Sequence, residues 1–365
     1  MKKNEAFNYI KNAANSIILP DKKALQNAQK RLDSLTKPAG SLGRLEELAK
    51  QIASITGRLD PDISKKLVIV MAADHGVVQE GVSAYPQEVT PQMVYNFMQG
   101  GAGINVLAKH AGADVMVVDV GVAAELNIKE NNKDKKSIFI DKKVAFGTKN
   151  MAKEPAMNPQ QAALAVSAGI AVAQDMIDAG YGIIGTGDMG IGNTTASSAI
   201  ASCICGVDAE KVTGYGTGID EAGFEKKVQV IRKAIKLNNP DASDGLDVLS
   251  KVGGYEIGGI AGVILGCALR KVPVVIDGFI SGAGALIAEA IAPASKNYMI
   301  ASHCSVEKGH RIVLEKLGLV PLFNFDMRLG EGTGAAIGIG IADAAIKILN
   351  EMATFDQAQV SQKKE

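Results

Sequence analysis

The sequence predicts an α/β protein, a mostly parallel sheet covered by helices on both faces. Short apolar runs such as Leu67-Val68-Ile69-Val70-Met71 alternate with helical stretches of roughly ten to twenty residues, the pattern of successive βα units. The runs are continuously apolar, as strands buried on both faces should be. Several end in Asp, Gly or His, at Asp74-His75-Gly76, Asp119 and His303. Ligands are read at that edge of open parallel sheets.

Taken in order, residues 1–60 read as helical. Ala24, Leu25, Ala28, Leu32 and Leu35 recur at helical spacing, and Lys37-Pro38-Ala39-Gly40-Ser41-Leu42-Gly43 breaks the pattern. A second helix, 44–55, carries Leu45, Leu48, Ile52 and Ile55 on one face. Neither helix has a strand partner in sequence, so a separate helical unit is expected there. The first strand spans 66–73, followed by a helix over 91–110 and a strand over 114–120. The Lys- and Asn-rich block 127–136 reads as a solvated loop. An alanine-rich helix at 160–179 leads to a short strand at 181–185 and a helix at 194–205. A basic-faced helix (226–237) and a glycine-rich buried helix (247–268) follow. Strands at 272–277 and 298–302, with helices at 283–292, 310–317 and 334–350, complete the chain.

Composition excludes several classes. The 39 basic residues balance the 39 acidic ones, so there is no electrostatic footprint for nucleic acid. Trp is absent and aromatics are 4%, which leaves no base-stacking platform. The apolar stretch 257–269 is too short to span a bilayer, and no membrane anchor is expected. Cys203 and Cys205 form a CxC pair with no second pair at zinc spacing, so no metal site is expected. With Cys267 and Cys304 they read as reduced thiols, and no secretory apolar stretch follows the opening residues. A cytoplasmic location is therefore expected.

Chemistry concentrates in two glycine-rich segments. Gly185-Thr186-Gly187-Asp188-Met189-Gly190-Ile191-Gly192-Asn193-Thr194-Thr195 follows a strand and opens a helix. Backbone N–H groups at such a helix start bind anions, and the threonines add hydroxyls. The other reading is a tight structural turn capped by Thr194 or Thr195. No GK[ST] follows, so it is not a Walker loop. Met327-Arg328-Leu329-Gly330-Glu331-Gly332-Thr333-Gly334 sets one carboxylate between glycines. Glu331 reads either as a general base in a dry pocket or as a cap on the N-terminus of helix 334–350. Lys227 could bring a cation to a phosphate or stand solvated on the surface. The loop 212–220 is a second ligand wall or a crossover. Asp277 is a ribose acceptor or a turn device. His75 is a ligand contact or a brace for its loop. His303 and His310 read as structural groups of a loop.

Seven blocks in one order resemble the nicotinate-nucleotide–dimethylbenzimidazole phosphoribosyltransferase family. They are KPAGSLGRLEELA (37–49), MAADHGVVQEGVSAYPQEVT (71–90), GTGDMGIGNTT (185–195), DGLDVLSKVGG (244–254), DGFISGAGALIA (277–288), SHCSVEKGH (302–310) and MRLGEGTGAA (327–336). The resemblance implies a Rossmann-like large domain, over 61–344, and a small helical domain from both termini, 1–60 with 345–365. It implies a homodimer with sites near the interface. It matches Glu331 to the catalytic glutamate. It matches the phosphate and nucleotide elements to Gly187, Asp188, Gly190, Asn193, Thr194, Lys227 and Ser302. Asp188 stands where the family usually has glutamate. The base pocket it implies is lined by Tyr85, Pro86, Leu329 and the segment reaching Gln92 and Met93, one of which takes the place of a glutamine that bonds the base.

The substrates so implied are nicotinate mononucleotide and a benzimidazole-type base, with no cofactor and no metal. Nicotinate leaves from a pyridinium without needing an acid, while the attacking azole must lose a proton to Glu331. Other lower-ligand bases, adenine or a phenol, are alternative acceptors. Two rivals stand beside this reading, a nicotinamide-dependent oxidoreductase and a non-catalytic binder of nucleotides or azoles.

Overall fold

The strands follow from the apolar runs. They are β1 (Lys66–Ala73), β2 (Ala113–Gly121), β3 (Ile138–Asp141), β4 (Ile183–Met189), β5 (Val274–Ile276) and β6 (Met299–Ala301). In the computed structural model, which describes residues 5–128, 137–216 and 218–361, they form one sheet of order β3-β2-β1-β4-β5-β6. All neighbouring pairs are parallel. Most of the lysine-rich loop expected at 127–136 lies outside the described residues.

Fifteen helices are described: α1 (Glu5–Ser16), α2 (Lys22–Asp33), α3 (Arg44–Thr56), α4 (Val89–Gln99), α5 (Gly103–Ala111), α6 (Pro159–Asp178), α7 (Asn193–Cys205), α8 (Ala209–Val212), α9 (Glu221–Asn238), α10 (Gly245–Val252), α11 (Tyr255–Leu269), α12 (Phe279–Ile291), α13 (Lys308–Leu317), α14 (Thr333–Glu351) and α15 (Phe355–Ala358). They cover both faces of the sheet. The two-residue period of β1 divides the core. Leu67, Ile69 and Met71 join the apolar cluster of α1, α6, α7 and α9–α13. Val68, Val70 and Ala72 join that of α2–α5 and α14. On this second face, Leu32, Leu48 and Ile52 of the N-terminal helices share one cluster with Ala342, Ile346 and Leu349 of α14. Arg31 donates to the carbonyls of Leu349 and Met352, and Leu35 bridges to Thr354. α14 is long and apolar enough to cross a membrane by composition, but it packs on β4, β5, α3 and α5.

Several boundaries differ from those expected. The helix expected over 91–110 is two helices, because Gly100 closes α4 in the left-handed region (φ 78°) and donates back to Asn96 and Phe97. The helix expected over 247–268 likewise breaks at Gly253-Gly254 into α10 and α11. β4 runs on to Met189 through Gly185 and Gly187, residues that weaken any strand pattern. β3 leaves no clear mark in the sequence, since only four residues carry it.

α6 and α11 touch backbone to backbone. A Cβ on Gly262 would lie 2.0 Å from the Val166 carbonyl oxygen, and one on Gly169 would lie 2.0 Å from that of Gly259. Only glycine permits this separation. Gly262→Val should force the helices apart and cost about 1–3 kcal/mol or more. The expected result is a lower urea midpoint, measured by equilibrium unfolding.

Candidate active site

β1 and β4 are neighbours, yet the chain leaves them toward opposite edges of the sheet. A crevice opens at the carboxyl ends of strands at such a switch point. It holds a cavity of about 740 Å³, large enough for a nucleotide together with a small ring. Three strand-end segments, the turn before α14, and α4 with the stretch leading into it build most of its wall. Asp188, Gly190, Asn193 and Thr194 come from β4–α7, and Gly278 and Phe279 from β5–α12. His303, Ser305 and Glu307 follow β6, and Arg328 to Glu331 precede α14. Tyr85, Val89 and Met93 close the apolar side.

Glu331 lies in a backbone held against its preference. Gly330, Glu331 and Gly332 take φ values of 79°, 63° and 92° in succession. Such a φ is uncommon for a glutamate and marks a turn fixed by its surroundings. Two contacts fix it. Gly187 has no side chain, and a Cβ there would meet the Glu331 carbonyl oxygen at 2.5 Å. Asp277 accepts from the N–H groups of Gly332 (3.2 Å) and Ala335 (3.0 Å), capping α14. Of the two sequence readings of Asp277, the geometry is that of the turn device. Burial pushes the Asp277 carboxyl up to about 7, against the pull of these N–H groups.

The Glu331 carboxylate is itself a helix cap, though not on α14 as the sequence allowed. Its Oε2 accepts from the Ile104 N–H at 3.0 Å, at the N-terminus of α5. Burial raises its pKa above the ordinary carboxylate value, and the N–H groups of Ile104 and Gly103 pull the other way. It is thus a partly desolvated carboxylate facing a cavity, the condition for a base stronger than a solvated glutamate.

At the opposite end a cation backs the wall from behind Thr194 and Gly216 without lining the cavity itself. Lys227 is buried, not solvated, and donates to Thr194 Oγ1 at 2.8 Å. It sits below the N-terminus of α7, where helix dipole and ammonium add. Burial lowers its pKa to about 8, partly offset by Glu307. Gly216 also lines the cavity, so the loop after α8 forms a wall. Asn193 donates to Asp188 Oδ2 at 3.0 Å, while Asp188 Oδ1 is buried without a partner among the described residues. Burial drives the Asp188 carboxyl far upward, and the Asp277, Glu256 and Glu331 carboxylates add to that rise.

The remaining expected residues are spread around this centre. Tyr85, Met93 and Leu329 line the cavity, whereas Pro86 and Gln92 lie beside it on the same segment. Ser302 is buried behind the wall and donates to the Ile276 carbonyl at 2.7 Å. Gly187 acts through the close approach already described. His75 does not reach the cavity wall. Its Nε2 pairs with Glu256 Oε1 at 2.6 Å, both fully buried. Burial pulls its imidazole down, but Glu256 and Asp74 more than offset this and leave it above its ordinary value. His310 is buried and pulled down to about 3. Sequence reasoning missed Ser305, Glu307, Phe279 and Arg328 as wall residues. Their only signal was membership of the blocks 277–288, 302–310 and 327–336.

A parallel-sheet crevice with an anion-attracting end and a desolvated carboxylate is the architecture of a group-transfer enzyme acting on a phosphorylated substrate. In agreement, a family model described as phosphoribosyltransferase matches residues 17–360. A nicotinate-nucleotide–dimethylbenzimidazole phosphoribosyltransferase from Roseiflexus sp. (strain RS-1) is 59% identical over 345 residues, covering 94% of this chain and 96% of that protein. One from Chloroflexus aggregans is 57% identical with the same coverage. A crystal structure of the enzyme so named from Thermus thermophilus superposes with a TM-score of 0.87 at 44% identity, covering 94% of this chain and 100% of that one. The chain belongs to the nicotinate-nucleotide–dimethylbenzimidazole phosphoribosyltransferase family.

Inorganic phosphate should bind at the Lys227 end. Because the ammonium form is lost above its pKa, phosphate affinity should fall as pH passes about 8. Calorimetric titrations between neutral and alkaline pH should show this fall in the wild type and not in Lys227→Met.

Proposed function

We propose that the protein transfers the 5-phosphoribosyl group of nicotinate mononucleotide to 5,6-dimethylbenzimidazole or a related base, giving α-ribazole 5′-phosphate and nicotinate. Family membership supports the reaction class, and the names of the relatives supply the two substrates. The observation that carries the mechanism is the Glu331 carboxylate, partly desolvated and facing the same cavity as the cationic end.

In this reading the phosphate rests on the N-terminus of α7 beside Thr194 and Lys227. The azole lies against Tyr85, Val89, Met93 and Leu329, an apolar wall suited to a methylated ring. Nicotinate leaves C1 of the ribose with the bonding pair, which neutralises its pyridinium nitrogen. One azole nitrogen attacks C1 from the opposite side, inverting the linkage from β to α. The other nitrogen gives its proton to Glu331. Positive charge develops on the sugar as the leaving bond breaks, and the ionised Glu331 at that end of the cavity stabilises it. Fixing azole, C1 and leaving nitrogen in line supplies much of the remaining acceleration.

The same reading extends to the assembly. Of the terminal helices, α2 and α3 pack on α14 and brace it, and hence Glu331, from outside, whereas α1 joins the other face of the sheet. The working form is a homodimer in the cytoplasm, for which sedimentation velocity on the purified chain is the test.

Glu331→Gln should keep the fold and nucleotide binding but lower kcat by at least about 100-fold. Near-normal turnover would remove the base assignment. The base works only when ionised, so kcat/KM should rise with pH through an acid limb. That limb should lie above the roughly 4.3 of a solvated glutamate, and it should vanish from the residual activity of Glu331→Gln. A panel of benzimidazoles, adenine and phenols with mass detection of each riboside phosphate identifies the accepted base.

A further inference from the structure

One carboxylate on the cavity wall has no task in this reaction. Glu307 immediately precedes α13, but its side chain does not cap that helix. Its Oε2 is buried, and among the described residues no donor reaches it. Lys227 feels its charge, yet donates to Thr194 Oγ1 and the Gly214 carbonyl instead. Space for the carboxylate exists only because residue 214 is glycine: a Cβ there would lie 1.8 Å from Glu307 Oε2. The wall therefore carries a strong acceptor, half-buried and unpartnered among the described residues, on the same side as the phosphate-attracting end.

The chemistry of a nicotinate nucleotide limits what can meet such a group. A carboxylate repels both the phosphate and the nicotinate carboxylate. The pyridinium ring offers no N–H, and the proton of the incoming azole goes to Glu331. The two ribose hydroxyls are the donors that remain. Resting on the transfer reaction proposed above, we propose that Glu307 is a specificity residue that accepts hydrogen bonds from the 2′,3′-diol of the ribose. The pairing gives this wall carboxylate the donors it lacks and holds the sugar between the phosphate end and Glu331. It also makes the site choose ribosyl over deoxyribosyl donors, because a substrate lacking the hydroxyl leaves a desolvated carboxylate without a partner.

The test compares kcat/KM for nicotinate mononucleotide and its 2′-deoxy and 3′-deoxy analogues in the wild type and in Glu307→Gln. The wild type should disfavour at least one analogue by about 10- to 100-fold, the range for a hydrogen bond to a charged group. Glu307→Gln should narrow that ratio about tenfold. A merely structural role would lower all three rates alike and leave the ratios unchanged, and that result, or a wild type indifferent to both hydroxyls, overturns the proposal. Should the variant fail to fold, competition by ribose 5-phosphate against its 2-deoxy and 3-deoxy forms in the wild type decides it. Tighter inhibition by the full diol supports it, and equal inhibition by all three overturns it. Failure of the wild type to turn over nicotinate mononucleotide with any azole would instead remove the transferase reading, and calorimetric binding of the same nucleotides would still decide the role of Glu307.

Discussion

The Asp277 carboxylate at the N-terminus of α14 is the contact on which the rest of the site depends. Its two oxygens accept from Gly332 and Ala335, and so hold three successive residues in the left-handed region. A glutamate there costs on the order of 1–3 kcal/mol. A side-chain cap contributes a comparable ~0.5–2 kcal/mol, so the cap and the strain nearly offset each other. Without it the turn has little reason to persist, and Glu331 would lose its aim. Asp277 stands directly after β5, one of the shortest strands of the sheet, and the pairing of β5 with β4 and β6 fixes its height.

The site is organised by charge along one crevice. Ammonium and helix dipole lie at one end with Glu307 beside them, and the desolvated carboxyls of Asp188 and Glu331 lie at the other. Between them the wall is apolar, with Val89, Met93 and Leu329 on it. Burial moves the two ends oppositely, pulling Lys227 down and pushing Asp188 and Glu331 up. Each group is thereby brought closer to neutrality than it would be in water, the condition under which small changes in occupancy move protons.

Much of this was legible in the sequence, because glycine reports backbone geometry directly. The segments 185–195 and 327–334 announced close approaches, and both line the crevice. Their partners were not legible. Lys227 sits mid-pattern on a basic-faced helix, and only the packing of the 214–216 loop over it reveals that it is buried. Which helix Glu331 would cap could not be read either, since α5 lies more than two hundred residues away in sequence. The glycine pairs that end α4 and α10 were visible, but the apolar residues on either side keep helical phase and hide the break.

The cavity wall draws on residues from Tyr85 to Glu331, and its central carboxylate is seated by the last long helix. No leading portion of the chain therefore contains the whole crevice. As the polypeptide emerges during synthesis, the sheet can assemble strand by strand, but the turn that holds Glu331 waits for α14 to dock. The crevice is therefore completed late, and a product ending before α14 would lack the support of the wall that carries Glu331.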